Sequence, residues 1–374
     1  MAPPIGIELF SGCGGLSTGF LDAGLRVSGG FDIDRRSIEA YNYNHLHRGS
    51  RGFVADLSQT SGAQLLAMAG LAKVDFILGG PPCQPFSIAG KRGGGNDKRS
   101  ELIGEYLRLT DELRPRFILF ENVPNLAVVD EGQLLLRFAR GLNRLGYTVN
   151  YEVMAAADYG VPQIRRRLFL VGGLGSAIEL PEGTHGIYRK PYVTTQQAIG
   201  DLPPAGDYGE IGIYNHEPTE HSLDMLERFA SLPPGKREPR SFHDRLHPER
   251  PSYTLRAGTG NFSPLRPIHY HYDRVVTVRE SARLQSFDDT FIWPDWIPRL
   301  QQYRQVGNAV PPKIAKTVAE CVARQLGWRL TPATLKGDYK TRPEAITLTD
   351  EERKAQRRKR TRGASLGFRP EQDG

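Results

Sequence analysis

The chain has 374 residues, 39% hydrophobic and 24% charged, ordinary proportions for a globular protein of one large or two smaller domains. No apolar run approaches the ~20 residues that cross a bilayer. The opening MAPPIGIELF lacks the charged start and long apolar core of a secretory signal, so a cytoplasmic chain without a membrane partner is expected. The net charge of +7 marks only a basic tail: RKAQRRKRTR at 353–362 holds seven basic residues and no acid, and the remaining basic and acidic residues balance at 42 each.

In chain order, the first part alternates strand-like and helix-like segments. Ile5–Phe10 is a short apolar run that ends in the glycine turn SGCGG, and Leu16–Ala23 reads as a helix. Val27–Phe31 is a second strand ending at Asp32 and Asp34, Val74–Leu78 a third ending in GGPPCQPFS, and Phe117–Phe120 a fourth ending in ENVP. Tyr147–Ala155 and Arg167–Val171 follow as later strands. Such alternation predicts an α/β fold, a doubly wound and mainly parallel sheet whose ligands collect beyond the carboxyl ends of the strands. The polar motifs stand at those ends.

The rhythm stops near Gly175. From 176 to 270 the chain is rich in Gly, Pro, His, Tyr and Arg, and reads as a smaller irregular domain made for contact. Helical signal returns within 271–330, at Thr277–Gln285 and Pro312–Leu326. Residues 331–374 read as a polar, basic tail without a core of their own.

Each motif admits a chemical and a bland reading. Gly12, Gly14 and Gly15 in FSGCGG can bring backbone close to a ligand, with Asp32 placed for ribose hydroxyls, or can simply form a tight strand–helix turn. Cys83 sits between prolines and glycines at a strand end, where a reactive thiolate is favoured over a packed thiol. The other two cysteines, Cys13 and Cys321, are distant, so neither a disulfide nor a metal site is expected. Glu121, closing the apolar run FILF, has its carboxyl pKa raised by burial if it faces inward; Glu121 and Asn122 can equally serve as a cap or a core hydrogen-bonding pair. Arg165 and Arg167 share one face of a strand and can clamp a phosphate or a carbonyl, or belong to a solvated basic edge. Gln305–Pro312, QVGNAVPP, is first of all a turn signal.

Taken together and in order, ELFSGCGGL, FDID, the AD at 55–56, GGPPCQPFS, ENV, Gln-x-Arg-x-Arg, RESARLQSF and GNAV resemble the C5 cytosine DNA methyltransferases of bacterial restriction–modification and orphan type. The resemblance covers most of residues 5–325. It implies a Rossmann-like methyltransferase domain at 1–175, a target-recognition domain at 176–270, a return to the catalytic domain at 271–330, and S-adenosylmethionine as cofactor. Cys83 then resembles the nucleophile, Glu121 the group that holds and protonates the cytosine ring nitrogen, and Arg165 and Arg167 the partners of ring carbonyl and phosphate. Phe10, Gly12, Gly14, Gly15, Asp32, Ile33, Asp56, Pro82 and Asn308 correspond to the cofactor site.

The partner implied is double-stranded DNA, acted on by a monomer with the cytosine flipped out. Gln84, Ser87 and Arg99 are expected to touch DNA, with Ser87–Arg99 a lid over the base. Thr254, Arg256, Gly258 and Gly260, in SYTLRAGTG, are expected to read the target. Glu8 stands where the family more often has Asp, and Asp288 where it more often has Pro. A transfer-RNA methyltransferase of the same superfamily carries an extra cysteine-containing segment, and this chain has no cysteine between Cys83 and Cys321. A catalytically dead scaffold would be expected to lose Cys83, Glu121 or the arginines, and a dehydrogenase reading explains the first motif alone.

Overall fold

Strand register sets one edge of the molecule apart. In the computed structural model, which describes residues 3–82, 98–256 and 266–331, seven strands form one sheet. They are β1 (Ile5–Leu9), β2 (Arg26–Asp32), β3 (Arg51–Val54), β4 (Phe76–Gly79), β5 (Phe117–Asn122), β6 (Tyr147–Ala155) and β7 (Arg166–Leu174). The order is β3-β2-β1-β4-β5-β7-β6, with β7 antiparallel to both of its neighbours. The order reverses between β1 and β4, so the crevice above that point is where such sheets take ligands. Leu9 pairs with Phe31 and Gly79, Gly79 with Phe120, and Asn122 with Leu168. The residues that follow β1, β2, β4 and β5 and those that precede β7 therefore share one rim.

Both faces of the sheet are covered. Ile7, Leu9, Ile77, Ile118 and Phe120 point to one core, with α3 (Gly62–Ala69), α4 (Lys98–Leu113) and α5 (Gln133–Arg144). Phe76, Leu78, Phe117 and Leu119 alternate with them and meet α1 (Gly15–Asp22) and the last of the described helices, α10 (Pro312–Gln325). Every residue of β4 and β5 is buried, the expected state of central strands covered on both sides. On α10, Ile314, Ala315, Val318, Ala319 and Val322 recur at helical spacing and form its buried stripe.

Asp34 caps α2 (Arg35–His45) by accepting from Arg36 N at 3.1 Å. Under this helix runs a buried polar chain. Glu8 accepts from the Ser17 amide at 2.8 Å and from its hydroxyl, which is 2.8 Å from Tyr41 Oη; Tyr41 is in turn 2.7 Å from Ser50 Oγ. Burial raises the Glu8 carboxyl to about 8, so it is mostly neutral at pH 7.

Beyond Leu174 no further strand joins the sheet among the described residues. Short helices follow: α6 (Thr195–Ile199), α7 (Leu223–Ala230), α8 (Val278–Leu284) and α9 (Arg299–Asn308). Ile199, Leu202, Leu246 and Leu255 share one apolar cluster with Val276, Val278, Trp293, Tyr303 and Val306. The irregular region is thus packed directly on α8 and α9. Asp288 shapes a turn, accepting from Thr290 N at 3.0 Å. QVGNAVPP differs from its turn reading: Gly307 and Asn308 end α9, and the bend falls at Ala309–Pro311.

Candidate active site

The β1–α1 turn is held by β2. Phe10 takes a left-handed φ of 54°, rare for a bulky residue, and turns the chain off the strand. Ser11 N then donates to Phe31 O at 3.0 Å, and the two oxygens of Asp32 accept from Gly12 N and Asp34 N, both at 2.8 Å. Burial lifts the Asp32 carboxyl above its usual range against these two amide donors. The three glycines differ. A Cβ on Gly12 would meet nothing within 4 Å, whereas one on Gly14 would fall 2.6 Å from His45 Cε1 and one on Gly15 2.3 Å from Val310 O. Gly14 and Gly15 are needed for helix packing, and Gly12 alone leaves its face open.

Around this turn, Ile33 is 67% exposed at the end of β2. Exposed Asp56 accepts from Ser58 N at 3.0 Å. Asn308 is exposed at the end of α9, and the Val310 carbonyl that follows closes over Gly15.

At the next strand ends the sequence pair Glu121–Asn122 divides its work. Asn122 Nδ2 donates to Pro81 O at 3.0 Å and its Oδ1 accepts from Val123 N at 2.9 Å, pinning the backbone that leads through exposed Pro82 to Cys83. Cys83, Gln84, Ser87, Gly258 and Gly260 lie outside the described residues, as does most of Ser87–Arg99; Arg99 belongs to the first turn of α4.

Glu121 is 7% exposed, and its Oε1 lies 3.1 Å from Arg167 Nε. Burial raises its pKa, and Arg167 and then Arg165 oppose the rise. Arg165 is 1% exposed; burial and then Arg167 depress its guanidinium to about 9. A solvated basic edge is therefore not what this segment forms: β7 lies between β5 and β6. Neither Glu121 Oε1 nor Arg165 Nε makes an aligned hydrogen bond, a cost normally removed by a partner.

Gln163, whose role the sequence left undefined, joins this site to the irregular region. It is fully buried; its Oε1 accepts from Leu255 N at 3.0 Å and its Nε2 donates to Gln285 Oε1 at 2.6 Å. Ile164 N donates to Ser252 O at 2.9 Å, and Arg165 Nη1 to Leu255 O at 3.2 Å. Within this clamped segment Leu255 is buried, Thr254 half-buried and Arg256 exposed. The spacing Gln-x-Arg-x-Arg was the only sequence signal for Gln163.

The other thiols stand elsewhere. Cys13 is buried, with Sγ 3.8 Å from Gln305 O, and burial pushes its pKa up strongly. Cys321, on α10, lies 3.6 Å from Glu179 O.

Comparison with known proteins places the chain in a family. The family described as C-5 cytosine-specific DNA methylase matches residues 6–324. The type II methyltransferase M.XorII of Xanthomonas oryzae is 35% identical over 87% of this chain and 86% of its own length. M1.HphI of Haemophilus parahaemolyticus is 36% identical over 85% and 86%. Among solved structures, a protein described as a DNA modification methyltransferase encoded within an E. coli prophage superposes with a TM-score of 0.72 at 27% identity, over 87% of this chain and 99% of that one. A methyltransferase of S. pombe, Dnmt2, shares the fold at a TM-score of 0.64 and 18% identity. Together with the strand-end rim of Glu121, Arg165 and Arg167, these matches establish that the chain belongs to the C-5 cytosine-specific DNA methylase family.

Proposed function

We propose that the chain methylates carbon 5 of a flipped-out cytosine in a specific duplex sequence, with Cys83 as nucleophile and S-adenosylmethionine as donor. The observation that carries the residue roles is the buried Glu121–Arg167 ion pair beside Arg165, in which neither Glu121 Oε1 nor Arg165 Nε makes an aligned hydrogen bond, on the rim that leads through Pro82 to Cys83. The type II relatives support a restriction–modification setting. Duplex DNA is the partner in this reading, and one chain suffices for the site as proposed.

The residues on the rim suit the cofactor. Gly12 leaves open space, the exposed Ile33 offers an apolar surface to a purine, and Asp32 and Asp56 offer carboxylates to hydroxyl and amino groups. Phe10, Gly14, Gly15, Pro82 and Asn308 complete that site by holding the turn, the α1 contact and the opposing loop. When bound, the cofactor supplies a methyl group on a positively charged sulfur.

The Cys83 thiolate forms a bond to ring carbon 6, and the displaced electron pair makes carbon 5 nucleophilic. Glu121, raised by burial, gives a proton to the ring nitrogen and so limits charge on the ring. Arg165 and Arg167 hold the ring carbonyl and the nucleotide phosphate. After methylation a water-borne base takes the proton from carbon 5, the carbon 5–carbon 6 double bond re-forms with expulsion of the thiolate, and the ring nitrogen returns its proton to Glu121. Bisulfite sequencing of DNA from a host expressing the chain tests the reading. Protected cytosines at one short word are expected, and no protection beyond an empty host would overturn it.

A further inference from the structure

The loop at 184–190 carries two consecutive large apolar side chains into solvent. Ile187 is 82% exposed and Tyr188 104%. Single exposed apolar residues are commonplace. Here, however, Tyr188 also has a left-handed φ of 61°, a conformation that a bulky residue keeps only where its surroundings impose it. The loop is firmly based. Gly186 N donates to Lys190 O at 2.9 Å and Arg189 N to Gly186 O at 3.1 Å. Thr184 N and His185 N donate to Asp158 O at 2.7 and 2.9 Å, and Tyr192 Oη to Asp158 Oδ1 at 2.9 Å. Lys313 Nζ donates to Gly160 O at 2.9 Å, and Gly160 leaves no room for a Cβ beside His185.

Asp158 and Gly160 belong to the turn between β6 and Arg165. That turn carries this loop on one side and, through Gln163, the 252–256 segment on the other. The loop is therefore tied to the same rim of the sheet as Glu121 and Arg167, at the end of β6, two strand positions from β5. Its surroundings are cationic. Lys190 and Lys313 have no acid paired with them among the described residues; Glu182 is taken up by Arg189 at 3.5 Å and Asp158 by the contacts above. Lys313 and His185 both titrate below their ordinary values, through burial and then a neighbouring cation.

We propose that the 184–190 loop is a second DNA contact, in which Tyr188 and Ile187 pack on bases or sugars outside the recognised word while Lys190 and Lys313 meet phosphates. Exposed aromatic and branched side chains beside cations suit this role, because stacking and wedging need no particular sequence. The proposal rests on duplex DNA being the substrate.

The test measures binding of wild type, Tyr188→Ala and Lys190→Ala to two duplexes carrying the methylated word, one extending several helical turns past it and one cut back close to it. Tyr188→Ala is expected to weaken binding to the long duplex about fivefold or more with an unchanged salt slope. Lys190→Ala is expected to lower that slope by about one unit. On the cut-back duplex, single-turnover methylation by both variants is expected to match wild type. Equal affinities and slopes on the long duplex, with wild type binding and methylating it, would overturn the loop contact alone. A wild type that binds neither duplex would overturn the substrate reading with it.

Discussion

Gly80 and Glu121 approach so closely that a Cβ on Gly80 would sit 3.0 Å from Glu121 Oε2. The glycine before the two prolines thus leaves room for the buried carboxyl as well as easing the turn. Gly80→Ala is expected to displace that carboxyl by a few tenths of an ångström and to lower single-turnover methylation about tenfold, since small misplacements at a reacting centre are costly. Gly104 in α4 provides the control: a Cβ there meets nothing within 4 Å, so Gly104→Ala is expected to add ~0.5–1 kcal/mol of stability without a rate change. Unchanged methylation by Gly80→Ala would show that the contact is incidental.

Glu121→Gln removes the carboxyl's charge and its acidic proton but keeps its shape. Methylation is expected to fall by about 10²–10⁴-fold, the usual range for general acid catalysis. Affinity for DNA is not expected to fall, because the neutral amide adds no negative charge beside Arg165 and Arg167 and both cations remain. Measuring the duplex Kd alongside the rate separates the two effects; a rate loss matched by an equal affinity loss would make Glu121 a binding group.

Gln163 fastens Leu255 and Gln285 from a fully buried position. Gln163→Ala leaves those groups without partners, which costs roughly 1–3 kcal/mol each when buried. Because the change lies between Arg165 and the 252–256 segment, target choice and methylation rate are expected to suffer, while affinity for S-adenosylmethionine stays near wild type. Calorimetric cofactor binding by the variant checks this; a collapse there would mean that Gln163 supports the whole sheet edge instead.

β2, β4 and β5 were legible because they are short, apolar and end at glycine or an acid, and β6 because its β-branched and aromatic residues follow a glycine. Tyr147–Ala155 matches β6 residue for residue, and Val27–Phe31 lies inside β2. The short edge strand β3, Arg51–Val54, has only four residues and mixed burial, so no period-two signal could form. Gly12, Gly14 and Gly15 look alike in sequence; only packing against His45 and Val310 tells them apart. Gly307 and Asn308 resemble a turn locally, but α9 extends through them because its buried face continues to Val306 and Gly307. Gln163 could not be read beyond its spacing, since its partners lie about ninety and more than a hundred residues further on.

Glu8 predicts a pH dependence of stability. Its carboxyl rises from an ordinary 4.5 to about 8 in the fold, by burial above all. Between those values the unfolded chain releases a proton that the folded chain retains. Stability contributed by the neutral carboxyl is therefore complete below the lower value and declines as pH rises toward the upper one. Urea unfolding at about pH 5 and about pH 8 is expected to show wild type losing more stability than Glu8→Gln, whose amide does not titrate. Parallel losses in both proteins would remove Glu8 as the source.

Cys83 allows the most direct test of the proposed chemistry. If its sulfur bonds to carbon 6, enzyme and base stay joined until the proton on carbon 5 departs. Fluorine at carbon 5 cannot leave as a cation, so duplex containing fluorocytosine at the target is expected to hold the protein through denaturing electrophoresis when S-adenosylmethionine is present. Cys83→Ser keeps the size but loses the thiolate, because a hydroxyl is almost wholly protonated near neutral pH. It is expected to abolish both adduct and methylation while still binding DNA through other groups. Cys13→Ser and Cys321→Ser are expected to keep the adduct: Cys13 is buried behind the β1–α1 turn and Cys321 lies on α10 beside Glu179. A stable adduct with Cys83→Ser, or none with wild type on a duplex it demonstrably methylates, would falsify the covalent mechanism.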